Sequence, residues 1–212
     1  MQRTWNLILA LVVAATIVAQ LVLLVSGGQD VNTTTAAAPA ALSTRLLRFF
    51  SYFTVQSNLL VLAAAVSLVI DPRRDGALWR VLRLDALLGI AVTGVVAATL
   101  LAGLVQHTGI GRWINAGFHH FSPLWTLAGW LLLGPRPRID LRTVGWAFAW
   151  PVAWLAYTMA HGALTGWYPY PFLNADTLGY GRVGITLLVI LAAALGTAFL
   201  LRTVERRLPP TR

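Results

Sequence analysis

Thr54 and His119 each lie in an apolar stretch long enough to cross a bilayer, where a polar side chain must satisfy itself within the protein or serve a purpose. A threonine hydroxyl is a poor nucleophile until a base takes its proton, and histidine is the side chain whose ordinary pKa suits that task near neutrality. Together the two are sufficient for acyl transfer. At ~100° per residue, Ser51, Thr54 and Asn58 project within a stripe of roughly 60°, while Gln56 points away. Asn115, His119, Ser122 and Thr126 form a second stripe of the same kind, from which His120 is displaced.

Around this pair the sequence offers supporting groups. Asn58 or Asn115 could donate to a developing oxyanion, and Ser122, or a carbonyl freed by Pro123, could orient the imidazole. Ser51 and His161 are the remaining candidates for substrate contact, His161 being equally suited to snorkel at the interface. No carboxylate falls within the apolar segments near the pair, so a full triad requires Asp176 to fold in from a loop. The absence of cysteine removes disulfides and thiolate chemistry, and the absence of lysine removes Schiff-base chemistry. Neither a metal nor a cofactor is expected. The competing arrangement is a haem held by His119 or His120 against His161, which lacks the repeated histidine spacing of membrane cytochromes.

The elements that must position these groups are set by composition. The 212-residue chain is 58% hydrophobic and 11% charged, with a mean hydropathy of +0.71, values far outside the range of a soluble domain. Six stretches reach the ~20 residues needed to span a bilayer core: Asn6 to Val25, Phe49 to Ile70, Leu87 to Gln106, Ala116 to Leu133, Thr143 to Ala163 and Val183 to Leu201. The expected fold is therefore all-α, a single six-helix polytopic membrane domain covering residues 1–212. The first segment is too long for the apolar core of a cleaved signal and reads as a retained helix.

A formal charge of +9 raises the possibility of a nucleic-acid partner, but the placement of the charges follows a membrane rule instead. Twelve arginines fall at the amino end, in the second and fourth connections and in the carboxyl tail, against Arg45, Arg48, Arg112 and Arg182 on the other side. The asymmetry predicts both termini in the cytoplasm, with the first, third and fifth connections outside. The basic connections, such as Asp71 to Gly76 and Gly134 to Arg138, are suited to anionic lipid headgroups. Arg-only basic residues with abundant Ala and Leu point to a bacterial inner membrane. In this orientation Thr54, His119 and His161 share a shallow depth in the outer leaflet, and the inner half of the bundle is almost wholly apolar.

The connections differ in kind. Residues 26–39 are mostly small and polar, a loosely ordered link. Gly166 to Asn174 packs Trp167, Tyr168, Tyr170 and Phe172 between prolines, the composition of a stiff interfacial loop that could lie across the outer mouth as a lid or serve as a belt fixing depth.

Three features together resemble the prokaryotic six-helix branch of the androgen-induced protein family: the run Phe49-Phe50-Ser51-Tyr52-Phe53-Thr54 with Gln56-Ser57-Asn58, the run Trp113-Ile114-Asn115 leading to His119 and Pro123, and the aromatic loop Trp167 to Leu173. The resemblance covers the whole chain. It implies an intramembrane hydrolase of fatty acid esters of hydroxy fatty acids, with Thr54 and His119 at the positions of the catalytic threonine and histidine. The substrate expected is a lipid or fatty ester reaching the site from the outer leaflet; the alternative is a protein that binds or carries a lipid without chemistry.

Overall fold

The computed structural model describes residues 1–33, 40–104, 106–136 and 139–208. Arg138, Arg212 and residues 34–39 of the polar link read above lie outside them. Among the described residues the protein is all-helical. Four helices are long and apolar enough to cross a membrane: α1 (Gln2–Val25), α3 (Phe53–Ile70), α4 (Ala77–Thr99) and α10 (Tyr180–Arg207). Between them stand α2 (Leu42–Ser51), α5 (Gly109–Ala116), α6 (Ser122–Leu133), α7 (Leu141–Ala147), α8 (Ala149–Thr165) and the short α9 (Ala175–Leu178).

Three of the six expected segments are interrupted, each for a local reason. The stretch from Phe49 breaks at Tyr52, whose extended backbone ends α2 and starts α3. The stretch from Ala116 is divided by a π-helical turn, Gly117–Phe121, before α6 opens with Pro123 in its first turn. The stretch from Thr143 breaks at Phe148, and Pro151 follows within the first turn of α8, where its missing N–H costs nothing. Hydropathy registers burial, not helix continuity, so none of these breaks lowers the apolar signal. For the same reason α4 starts ten residues before the expected Leu87, carrying Arg80, Arg83 and Asp85 within the helix, and it ends at Thr99. Arg83 and Asp85 are both buried, so the first half of α4 is less uniformly apolar than the sequence suggests.

Hydrogen bonds fix which ends lie together. Gln2 donates to the Pro72 carbonyl at 3.3 Å and Arg3 to that of Ile70 at 3.5 Å, so the start of α1 sits beside the end of α3. At the far end of α10, the Glu205 carboxylate accepts from the Ile139 amide at 2.6 Å while Arg202 donates to the Ile139 carbonyl at 3.2 Å. On the opposite side, the fully buried Gln20 accepts from the Val31 amide and donates to the Gln29 carbonyl, folding the first connection back onto α1. Arg45 completes that anchor by donating to the Gly28 carbonyl.

Two glycines let elements approach. A Cβ at Gly117 would collide with the Thr16 side chain, so the π turn can rest directly against α1 only because the position is glycine. A Cβ at Gly162 would likewise strike the Tyr168 ring, which seats the aromatic loop on α8. Both contacts carry packing from the scaffold to the elements that hold the polar groups.

Candidate active site

Three side chains converge where the break at Tyr52, the π turn and the aromatic loop meet. Thr54 Oγ1 lies 3.4 Å from His119 Nε2 and 3.2 Å from the Tyr170 hydroxyl. Thr54 and Tyr170 are nearly inaccessible and His119 is buried. Because α3 begins at Phe53, Thr54 occupies its first turn, where amides have no intrahelical acceptor. The Thr54 N–H accordingly donates to the Tyr170 hydroxyl at 3.2 Å. One consistent proton order runs from the Tyr170 hydroxyl to Thr54 Oγ1 and from Thr54 Oγ1 to His119 Nε2. In that order the imidazole offers its Nε2 lone pair to the threonine, as a general base must.

The π turn sets the histidine. Ser122 donates its amide five residues back, to the Gly117 carbonyl. Continuing that register would pair the Pro123 nitrogen with the Phe118 carbonyl, but proline has no hydrogen to give. The orphaned carbonyl is met by Asn58, whose amide donates to it at 3.4 Å and to the Thr54 carbonyl at 2.8 Å. His119 Nδ1 is buried beside the Asn115 backbone without a hydrogen bond of full geometry. The neighbouring His120 is exposed.

Tyr170 was not among the residues singled out from the sequence. Its loop carries a signal, aromatic residues locked between prolines, that is equally the signal of a membrane-interface belt. The ring is held by stacking on Phe172 at 5.2 Å and by edge contact with Tyr52 at 5.7 Å. Trp167 of the same loop packs edge-on to Tyr52 and lies beneath the Arg48 guanidinium. Thr33 reaches the Tyr52 hydroxyl at 3.2 Å, which ties the first connection to the same cluster.

The other sequence candidates fall in different places. Asn58 has both amide hydrogens engaged with backbone carbonyls, so it is unavailable to an oxyanion and acts instead as a clasp between α3 and the π turn. Ser51 faces α8, bonded to the Tyr157 hydroxyl at 2.7 Å, with the Trp154 indole on its carbonyl. Gln56 also points toward α8, accepting from the Trp150 indole at 2.9 Å. His161 packs between Tyr157 and Trp167, with Nδ1 3.3 Å from the Thr165 hydroxyl, and so belongs to the rim of the aromatic loop, outside the walls of the cavity that His119 and His120 share. Asp176 is exposed at the start of α9 and brings no carboxylate to the histidine. Ser122 is fully buried with its hydroxyl unpartnered. Asn115 lines a polar cavity together with His119.

Two cavities flank the trio. One, with about 720 Å³ of empty space including its open mouth, is almost wholly apolar and reaches Thr54 from between α4, α8 and α10. The other, about 780 Å³ on the same basis, has His107, Asn115, His119, His120 and Asn32 in its walls. Thr54 lines only the first and His119 only the second, while Tyr170 and Leu101 line both. Among the described residues no cluster of histidine and carboxylate side chains is suited to hold a metal ion. No family model, curated protein or solved structure matches the chain.

Proposed function

We propose that the protein is an intramembrane hydrolase of lipid esters, with Thr54 as nucleophile and His119 as general base. The single observation that carries the reading is the buried contact between Thr54 Oγ1 and His119 Nε2, 3.4 Å apart, at the junction of an apolar and a polar cavity. His119 takes the threonine proton as Oγ1 attacks the ester carbonyl, then delivers it to the departing alcohol. Water, deprotonated by the same imidazole, releases the acyl group and restores the threonine.

The developing oxyanion has donors within reach. The Thr54 N–H, in the first turn of α3, points where the helix dipole favours negative charge. In the free protein it is occupied by the Tyr170 hydroxyl. The substrate oxygen takes that place and Tyr170 turns to donate to it, supplying the second member of the hole.

The six apolar segments are read as six crossings, with α5, the π turn and α6 making the fourth and α7 with α8 the fifth. Both termini lie in the cytoplasm, where the arginine-rich connections meet anionic headgroups, and ester substrate reaches Thr54 laterally from the outer leaflet. A bacterial inner membrane is the setting that fits this sequence. The resemblance to the androgen-induced protein family points the same way, toward a long-chain fatty acyl ester.

An acylating or phosphonylating activity probe tests the nucleophile on purified protein. Labelling is expected in the parent and absent in Thr54→Ala, and long-chain ester turnover is expected to fall by at least a hundredfold in Thr54→Ala and in His119→Ala. Because nucleophile and base act as one unit, the double variant should be scarcely slower than either single one. Turnover unchanged in Thr54→Ala would exclude Thr54 as the nucleophile, and a parent protein with neither labelling nor turnover would leave a lipid-binding protein that uses the same cavities without chemistry.

A further inference from the structure

The hydrolase reading fixes two reacting groups, and the cavities separate them. Thr54 opens only to the apolar cavity and His119 only to the polar one, with Tyr170 and Leu101 as their common wall. In ester cleavage the acid that protonates the leaving oxygen must face that oxygen, while the acyl carbon bonds to the nucleophile. The leaving alcohol therefore belongs on the His119 side.

The walls carry the same division by an independent route. On the Thr54 side Leu88, Val92, Trp154 and Ile190 offer hydrocarbon. On the His119 side Asn32, His107, Asn115 and His120 offer hydrogen-bonding groups among small residues such as Ala97, Ala98 and Ala102. A long alkyl chain placed against those imidazoles and amides would strip them of water without replacing its hydrogen bonds. A compact alcohol bearing hydroxyl groups would replace them.

Resting on the hydrolase reading, we propose that the site holds its substrate in one direction and selects for a polar alcohol: the acyl chain lies in the apolar cavity and a small polyol or hydroxylated headgroup lies in the polar one. The cleavage balances without any added reagent. The Thr54 oxygen forms a bond to the acyl carbon, the bond from that carbon to the alcohol oxygen breaks, and the alcohol leaves with the proton carried by His119. Water then gives hydroxide to the acyl carbon and a proton back to Thr54.

The experiment uses full-length protein in lipid nanodiscs and two oleoyl esters, monooleoylglycerol and oleyl oleate. The glycerol ester is expected to have at least a tenfold higher kcat/KM. His107→Leu should narrow that ratio, and Val92→Trp should shorten the preferred acyl chain of glycerol esters. Equal or reversed preference for oleyl oleate overturns the proposal while leaving the hydrolase reading intact.

A second measurement does not depend on turnover. Monoacylglycerol analogues carrying a photoreactive group at the chain end or on the glycerol are crosslinked to Thr54→Ala protein and the adducts mapped. The chain-end probe is expected on α4 and α10 around Leu88 and Ile190, and the glycerol probe around Gly103 and His107. The opposite pattern, or one pattern for both probes, overturns the proposed direction even if no ester is ever hydrolysed.

Discussion

Asn58 donates from one side-chain amide to two backbone carbonyls, that of Thr54 at 2.8 Å and that of Phe118 at 3.4 Å. The first belongs to the nucleophile itself and the second to the residue preceding the histidine. A single side chain thus sets the spacing between the two reacting groups. Asn58→Leu should cost about 2–4 kcal/mol, because two buried carbonyls lose a donor, and should lower kcat more than it raises KM. Pro123→Ala returns a backbone N–H to the π turn, so Asn58→Leu should cost measurably less in that background. Denaturation of the four proteins in detergent, analysed as a double-mutant cycle, measures the coupling.

Tyr170→Phe keeps the ring and its stacking on Phe172 but removes the hydroxyl that meets Thr54. Loss of one oxyanion donor is expected to reduce kcat by about 10²–10³ with little change in KM. Steady-state kinetics on a soluble chromogenic ester would show it. A loss confined to KM would make Tyr170 a binding residue only.

Gly117→Ala forces a methyl group into the Thr16 side chain. The expected penalty is about 1–3 kcal/mol, with loss of activity, since the residue lies two before His119. Thr16→Ala should recover most of it. Thermal unfolding of the single and double variants separates this local collision from general damage, which no second substitution would repair.

Asp30 supplies a pH signature outside the spanning segments. Burial pushes its carboxyl from 3.8 up to about 6, against the lowering effect of its bonds to the Asn32 amide and side chain. The folded protein therefore holds this proton more tightly than the unfolded chain does. The group adds no penalty below pH ~4, destabilises progressively as pH rises through the interval to about 6, and costs its full amount above it. Asp30→Asn should raise stability by up to about 3 kcal/mol at neutral pH and have little effect near pH 4. Unfolding midpoints measured across that range check both the sign and the window.

The parts of the site that were legible in the sequence are those that helical periodicity governs. Thr54 and His119 each stand on a polar stripe in an apolar segment, and such stripes turn toward other protein. What periodicity cannot carry is where a helix stops. The break at Tyr52 sits among aromatic residues that hydropathy treats as continuous, yet it moves Thr54 into a first turn and frees its amide. The role of Asn58 was equally hidden, because only the π register shows which carbonyl Pro123 leaves bare. Tyr170 escaped because stiff aromatic loops have the same composition whether they rest on lipid or insert a hydroxyl into a bundle. The early start of α4, with Arg83 and Asp85 buried inside it, shows the converse error, in which charge was read as the end of an element.

The π turn at Gly117–Phe121 makes the chemistry depend on chain length. A π turn accommodates one residue more than an α-helix would place in the same rise. Removing a single residue just before Gly117 would let the helix close into a regular α-spiral. The helix upstream would keep its orientation on α6, but the residues of the turn itself, His119 among them, would be re-aimed relative to Thr54 on α3. The site is keyed to one surplus peptide unit, so it is more vulnerable to a one-residue deletion than to most substitutions of the same residues.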